Sequence, residues 1–226
     1  MMETSFSEYN REQLVTIRAL SEFLGGLNLE TKKAIRVKIS PYLSFRKRSA
    51  DFHNNHFVKT CTERCFKDHS AHCCGKEGII VFFSDMFINL IEHPDLDLEG
   101  IITQLERGDN EKCVYLGPQG CLWPVKPVVC EMYICDRAKA EVLKKGEPKE
   151  LDWNGLLELE KEFTKPDKPV LFDYLEAIFL EAGYQSPLTY FHKSPGLLRL
   201  KLNSGLITDE QYYQLSGRKR KKKKTR

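Results

Sequence analysis

Eight cysteines lie between Cys61 and Cys135, and the remaining 151 residues of this 226-residue chain contain none. Their spacing is Cys61-x3-Cys65-x7-Cys73-Cys74, then 38 residues, then Cys113-x7-Cys121-x8-Cys130-x4-Cys135. Scattered buried cysteines act as small hydrophobes, but two groups of four point to metal ligation by thiolates. No Cys-x2-Cys turn is present, so the usual zinc ribbon and knuckle geometry is not encoded. The short iron–sulfur signatures agree only with the first pair. Side chains of adjacent residues in extended chain point apart. Cys73 and Cys74 therefore serve two neighbouring sites, a cluster reached through a bend, or one ligand beside a spare thiol. Zinc fits any four thiolates in a closed tetrahedron, whereas an iron–sulfur cluster, being larger, suits widely spaced cysteines. The expected cofactor is thus an iron–sulfur cluster or zinc.

Other ligand types are present but less pointedly placed. His53 and His56 are three apart, a spacing that brings two imidazoles to one helical face, although no third ligand accompanies them. His69 and His72 fall inside the first cysteine group, and Glu63, Asp68 and Asp136 lie beside cysteines, where carboxylates can complete or tune a site. No phosphate-binding glycine loop, His-Glu-x-x-His or Gly-x-Ser-x-Gly is found. Any enzymatic step would therefore run through the metal, and the substrate is not legible.

At these cysteines the chain resembles the YkgJ-like cysteine-cluster family, described as zinc- or iron-chelating domains. Cys61, Cys65 and Cys73-Cys74 resemble the family's first group, which ends in adjacent cysteines. Cys113, Gly120-Cys121 and Lys126-Pro127-Val128-Val129-Cys130 with Tyr133 resemble its Cys…Gly-x-Cys…Arg-Pro-x-x-Cys-x-x-Tyr/Phe segment. The chain departs from the pattern in the longer Cys65–Cys73 spacing, in Lys126 where arginine is usual, and in the additional Cys135. The resemblance spans about residues 58–137 and implies metal binding without implying a reaction. A related cysteine segment occurs in flagellin lysine methylases, which makes a metal-dependent enzyme an alternative.

The elements that must position these residues read as mainly helical. Ser5-x-x-Glu8 opens a helix over about Glu8–Leu24 with Leu14, Ile17, Leu20 and Leu24 on one face. Asn28 caps a second helix, which Pro41 is expected to stop near Ile39. Ile79–Phe83 reads as a short strand, Ser84 as the cap of a helix closed by His93-Pro94, and Leu98–Arg107 as a helix before the Gly108-Asp109-Asn110 turn. Gly117-Pro118-Gln119-Gly120 joins two hairpin arms, about 112–116 and 121–123, that bring Cys113 and Cys121 together. Pro127 opens a helix carrying Cys130, and a further helix follows Cys135. Asp152 is expected to cap a helix with Trp153, Leu156, Leu157 and Phe163 on one side. Another helix runs from Leu171 until Gly183 ends it, Pro195 opens one more, and Thr208-x-x-Gln211 caps the last. The predicted fold is a single mainly α domain with a small β element, stapled by metal. Residues 1–57 brace it, 58–137 bind the metal, 138–216 add helices to the same body, and 217–226 form a basic tail.

Composition agrees with a folded body, at 41% hydrophobic and 11% aromatic residues. The opening residues MMETSFSEYNREQ lack the basic and then apolar pattern of a secretory signal, and no apolar run is long enough to span a bilayer. The expectation is a cytoplasmic protein in which thiols persist as thiols or metal thiolates. Of the 35 Lys and Arg, eight fall in the final ten residues, so the rest carries 27 against 32 Asp and Glu and is mildly acidic. A like-charge block of that length repels itself and reads as a disordered tail for nucleic acid or an anionic surface, with salt-sensitive affinity. A chain ending at Gly217 that kept full low-salt binding would rule this out. A structural zinc module in a nucleic-acid- or ribosome-associated protein is therefore a further alternative.

Overall fold

The computed structural model describes residues 8–60, 62–63, 81–107, 113–117, 120–164, 171–189, 202 and 207–216. Several expectations lie outside the described residues: those for Ser5, Cys61, Cys65, Asp68, His69, His72, Cys73, Cys74, Ile79, Ile80, the 108–110 turn, Pro195 and the 217–226 tail. Helices dominate, and the one small sheet among the described residues is a two-stranded hairpin. This is the mainly α architecture with a small β element that the helical periodicities predict.

Helix α1 (Glu8–Gly26) buries Leu14, Ile17, Leu20 and Leu24 on one face, as their spacing requires. Asn28 caps α2 (Leu29–His56), its side chain accepting the Thr31 N–H at 2.8 Å. Contrary to expectation, α2 does not stop near Ile39 but continues through Pro41 for four more turns. A proline costs its own N–H and crowds the carbonyl one turn earlier, here that of Val37. Both Pro41 and Val37 face solvent, where water can serve that carbonyl. The opposite face buries Ile35, Ile39, Tyr42, Phe45, Ser49 and Phe52 without interruption. Continuous burial outweighs the local penalty of about 3 kcal/mol.

After the one-turn helix α3 (Val58–Thr60), the chain reaches α4 (Phe83–Glu92), the central helix of the body. Phe83, Met86, Phe87, Ile88 and Ile91 are all buried, and α4 packs against α1, α2 and α9 (Leu171–Glu181). A helix apolar around most of its circumference has to be covered in this way. Two expectations are corrected here. The described part of Ile79–Phe83 is not strand, because Val81 and Phe82 have no regular structure and Phe83 already begins α4. Ser84 does not cap α4. Its hydroxyl lies inside the first turn and donates to the Phe172 carbonyl at 3.3 Å, while Asp85 reaches back to accept the Phe82 N–H.

Helix α5 (Leu98–Arg107) packs on α1 through Ile101 and Leu105. The hairpin strands β1 (Leu116–Gly117) and β2 (Gly120–Cys121) pair antiparallel, with Leu116 opposite Cys121. The arms are shorter than expected, so Cys113 stands in the turn before β1 while Cys121 lies on β2. Short helices α6 (Val128–Met132) and α7 (Asp136–Val142) follow, with Pro127 at the start of the first.

Helix α8 (Pro148–Thr164) begins a turn before Asp152, which therefore does not cap it. Pro148 has the preset backbone favoured at a first helical position, and Glu150 accepts the Gly146 N–H at 2.6 Å. Trp153 and Leu156 of α8 are buried, and Trp153 packs on Phe52 and Phe57 at ring distances of 5.6 and 6.1 Å. Gly183 ends α9 with φ of +87°, a left-handed value that suits glycine. The reciprocal bonds of Thr208 and Gln211 form a capping box for α10 (Asp209–Ser216). Among the described residues no helix is long and apolar enough to cross a membrane.

Candidate metal centre

The second cysteine group is assembled by three consecutive pieces of chain. The hairpin supplies Cys113 and Cys121, α6 supplies Cys130, and Cys135 immediately precedes α7. The turn at Cys113 is closed by its carbonyl accepting the Leu116 N–H at 3.0 Å. Folded this way, the backbone N–H groups of Tyr115 and Leu116 face the Cys113 sulfur, and that of Trp123 faces the Cys121 sulfur. Each sulfur is thus met by an amide two residues ahead, an arrangement that favours the charged thiolate.

A buried polar network sets where Cys130 stands. Asp85 and Asn89, one turn apart on α4, are fully or almost fully buried on an otherwise apolar helix. Asn89 pairs with both polar groups of Val125, donating to its carbonyl at 2.7 Å and accepting its N–H at 2.9 Å. Asp85 accepts the Val128 N–H at 3.1 Å, at the start of α6. From α2, Arg46 donates to the Lys126 carbonyl at 2.6 Å and to Glu131 at 2.7 and 3.1 Å, and Ser49 donates to the same carboxylate oxygen at 2.7 Å. Residues 125–131 are therefore held from both sides by side chains of α2 and α4. The Arg46–Glu131 pair is almost wholly buried. Such pairs add little net stability but penalise any arrangement that separates them, and this one fixes α6 on α2.

All four cysteines line one cavity of about 310 Å3. They are thiols rather than disulfides, and each is partly buried. Thr60 and Thr62, the neighbours of Cys61 in sequence, also line it. The remaining wall is largely apolar, with Val58, Val81, Leu116, Pro124, Pro127 and Ile134 among its residues.

Burial pushes the Cys113 thiol up to about 12, with the Cys121 and Cys130 sulfurs adding repulsion against the Tyr115 and Leu116 amides. Burial likewise pushes Cys121 up to about 11, although the Trp123 N–H and the Lys126 ammonium pull it down. At neutral pH these sulfurs keep their protons unless a cation compensates them.

His53 lines the same cavity, and Lys126 donates to its Nδ1 at 3.1 Å. That bond requires a neutral imidazole with its proton on Nε2. Burial, reinforced by the Lys126 charge, lowers its pKa to about 3. His56 does not join it at the site but packs edge-on against Phe52 at 4.7 Å. Glu63 and Asp136 are exposed. Among the described residues, no three His, Cys, Asp or Glu side chains are gathered closely enough to form a preformed metal cage.

The donor set suits thiolates in one respect: backbone amides are aimed at the Cys113 and Cys121 sulfurs. The Tyr9 hydroxyl, Gln13 Nε2 and Trp123 Nε1 are buried without hydrogen-bond partners. Arg46, Asp85 and Asn89, which hold residues 125–131 in place, could not be read from cysteine spacing. The one readable signal is the Asp85-x3-Asn89 pair on an apolar helix. The chain matches no family model, no curated protein and no solved structure.

Proposed function

We propose that the protein carries a metal centre held by cysteine thiolates, either an iron–sulfur cluster or zinc. The observation behind this reading is that Cys113, Cys121, Cys130 and Cys135, supplied by three separate pieces of chain, open onto a single cavity. The first group, Cys61, Cys65, Cys73 and Cys74, would complete the ligand set, because the chain enters that group at the cavity wall formed by Thr60 and Thr62. A cavity of about 310 Å3 has room for a cluster as well as for one ion, and the absence of Cys-x2-Cys turns favours iron and sulfide over a lone zinc. A bound cluster would supply one-electron chemistry, whereas zinc would supply a structural cross-link.

Binding to unassembled ligands contributes to folding, so metal and stability should be lost together. Protein purified without oxygen should contain iron or zinc by elemental analysis, and a visible charge-transfer spectrum would distinguish the cluster. Cys121→Ser and Cys130→Ser should each lower metal content and the thermal midpoint. Metal-free native protein that unfolds cooperatively and is unaffected by either substitution would refute the reading.

A further inference from the structure

The cavity that the cysteines line also carries a charge of its own. Among the described residues of its wall, Lys126 is the single Lys or Arg, and no Asp or Glu is present. The Lys126 ammonium donates a hydrogen bond to His53 Nδ1 at 3.1 Å. His53 is buried, at 8% exposure, and that bond uses the lone pair of a neutral ring. A carboxylate in its place would neutralise the ammonium. A neutral imidazole orients it and leaves its charge and two further N–H groups available. The nearby carboxylates are engaged elsewhere, Glu131 by Arg46 and Ser49, and Asp85 by the Phe82 and Val128 N–H groups. The backbone beneath the ammonium is also fixed, because Arg46 donates to the Lys126 carbonyl at 2.6 Å and Asn89 pairs with both polar groups of Val125. Lys126 therefore leaves the chain from a set point beside the cavity.

The rest of the wall suits a small organic molecule with an apolar body. Val58, Val81, Leu116, Trp123 and Ile134 supply aliphatic and aromatic surface. A volume of about 310 Å3 stands at the lower end of the range for small-molecule sites, roughly 300–1,000 Å3. Asn54 and Tyr133 belong to the wall and are exposed, so the cavity is open to solvent. One ammonium amid apolar surface matches a single negative charge. A phosphate dianion calls for more positive charge than this wall supplies among the described residues.

We propose that the cavity binds a small monocarboxylate with an aliphatic or aromatic body, its carboxylate on the Lys126 ammonium and its body against the apolar wall. This deepens the metal-centre reading, and the molecule's place as a ligand or substrate of that centre rests on it. Binding itself rests on Lys126 and the wall alone, so the two stand or fall by different measurements.

Octanoate and octanol, which share a chain length and differ in charge, serve as probes in calorimetric titrations of the full chain at neutral pH. The native chain should bind octanoate roughly tenfold more tightly than octanol, the ratio expected for a hydrogen bond to a charged group. Lys126→Met should bring octanoate down to the level of octanol and leave octanol unchanged, which also shows that the cavity survives the substitution. Lys126→Arg keeps the charge and should retain the preference for octanoate. Equal affinity for the two probes in the native chain, or binding of neither, would overturn the proposal whatever the metal content. A Lys126→Met chain that still prefers octanoate would overturn it too. Octyl phosphate bound tenfold more tightly than octanoate would assign the cavity to phosphate and overturn the carboxylate.

Discussion

At the scale of single residues, two buried groups beside the cavity titrate with opposite consequences. Folded His53 takes up a proton only near pH 3, whereas the unfolded chain binds it below its ordinary 6.5. Between those values the unfolded chain holds the extra proton, so this group makes stability rise with pH and be lost as pH falls. Burial raises Asp85 from 3.8 to about 6, against the pull of Arg46 and the Phe82 and Val128 amides. Here the folded chain holds the extra proton, and stability falls as pH rises through that window. From about pH 4 to 6 the two slopes largely cancel. Asp85→Asn removes one of them. Its stability, roughly 1–3 kcal/mol lower for the amide left unpaired, should climb more steeply with pH over that range than the native chain's. Urea midpoints across a pH series would check this, and parallel profiles would reject it.

At the scale of elements, α2 carries most of the site's support, since Arg46, Ser49 and His53 all lie beyond Pro41. Pro41→Ala should restore the missing N–H and relieve the crowded Val37 carbonyl. A gain of about 1–3 kcal/mol is expected, the upper value being the full helix penalty and the lower allowing for the looser unfolded chain. Equilibrium denaturation would measure it, and a neutral or destabilising result would argue that the helix does not continue through this position. Pro41 also shows what the sequence could and could not convey. Apolar periodicity located α1, α4 and α9 because burial follows repeat spacing directly. The breaker signal of Pro41 and the cap signal of Asp152 misplaced the end of α2 and the start of α8, where a proline's meaning depends on which side faces water and which position it takes in the helix. The Gly117-Pro118-Gln119-Gly120 turn signal placed Cys121 on a hairpin arm and Cys113 close before the other. It could not show the amides aimed at their sulfurs or the carboxylate and carboxamide of α4 that hold residues 125–128, because those partners are distant in sequence.

At the scale of the whole molecule, the cysteine cavity is joined to the core rather than appended to it. Cys113, Cys121 and Cys135 pack against the same buried cluster in which Phe23, Phe83, Phe87 and Phe179 gather α1, α4 and α9, while Tyr42, Phe45, Phe163 and Phe172 gather α2, α8 and α9. Both tryptophans of the chain are buried, but they occupy different surroundings. Trp123 lines the cavity two residues after Cys121, whereas Trp153 packs on Phe52 and Phe57 and does not line it. The molecule therefore contains its own pair of optical reporters. In a Trp153→Phe chain the remaining indole sits beside the sulfurs, and its fluorescence should dim when cobalt(II) loads the site and absorbs into the emission band. In a Trp123→Phe chain the emission of Trp153 should change less on the same titration, following the tightness of the core instead of the state of the thiols. Equal quenching in the two chains would contradict that division.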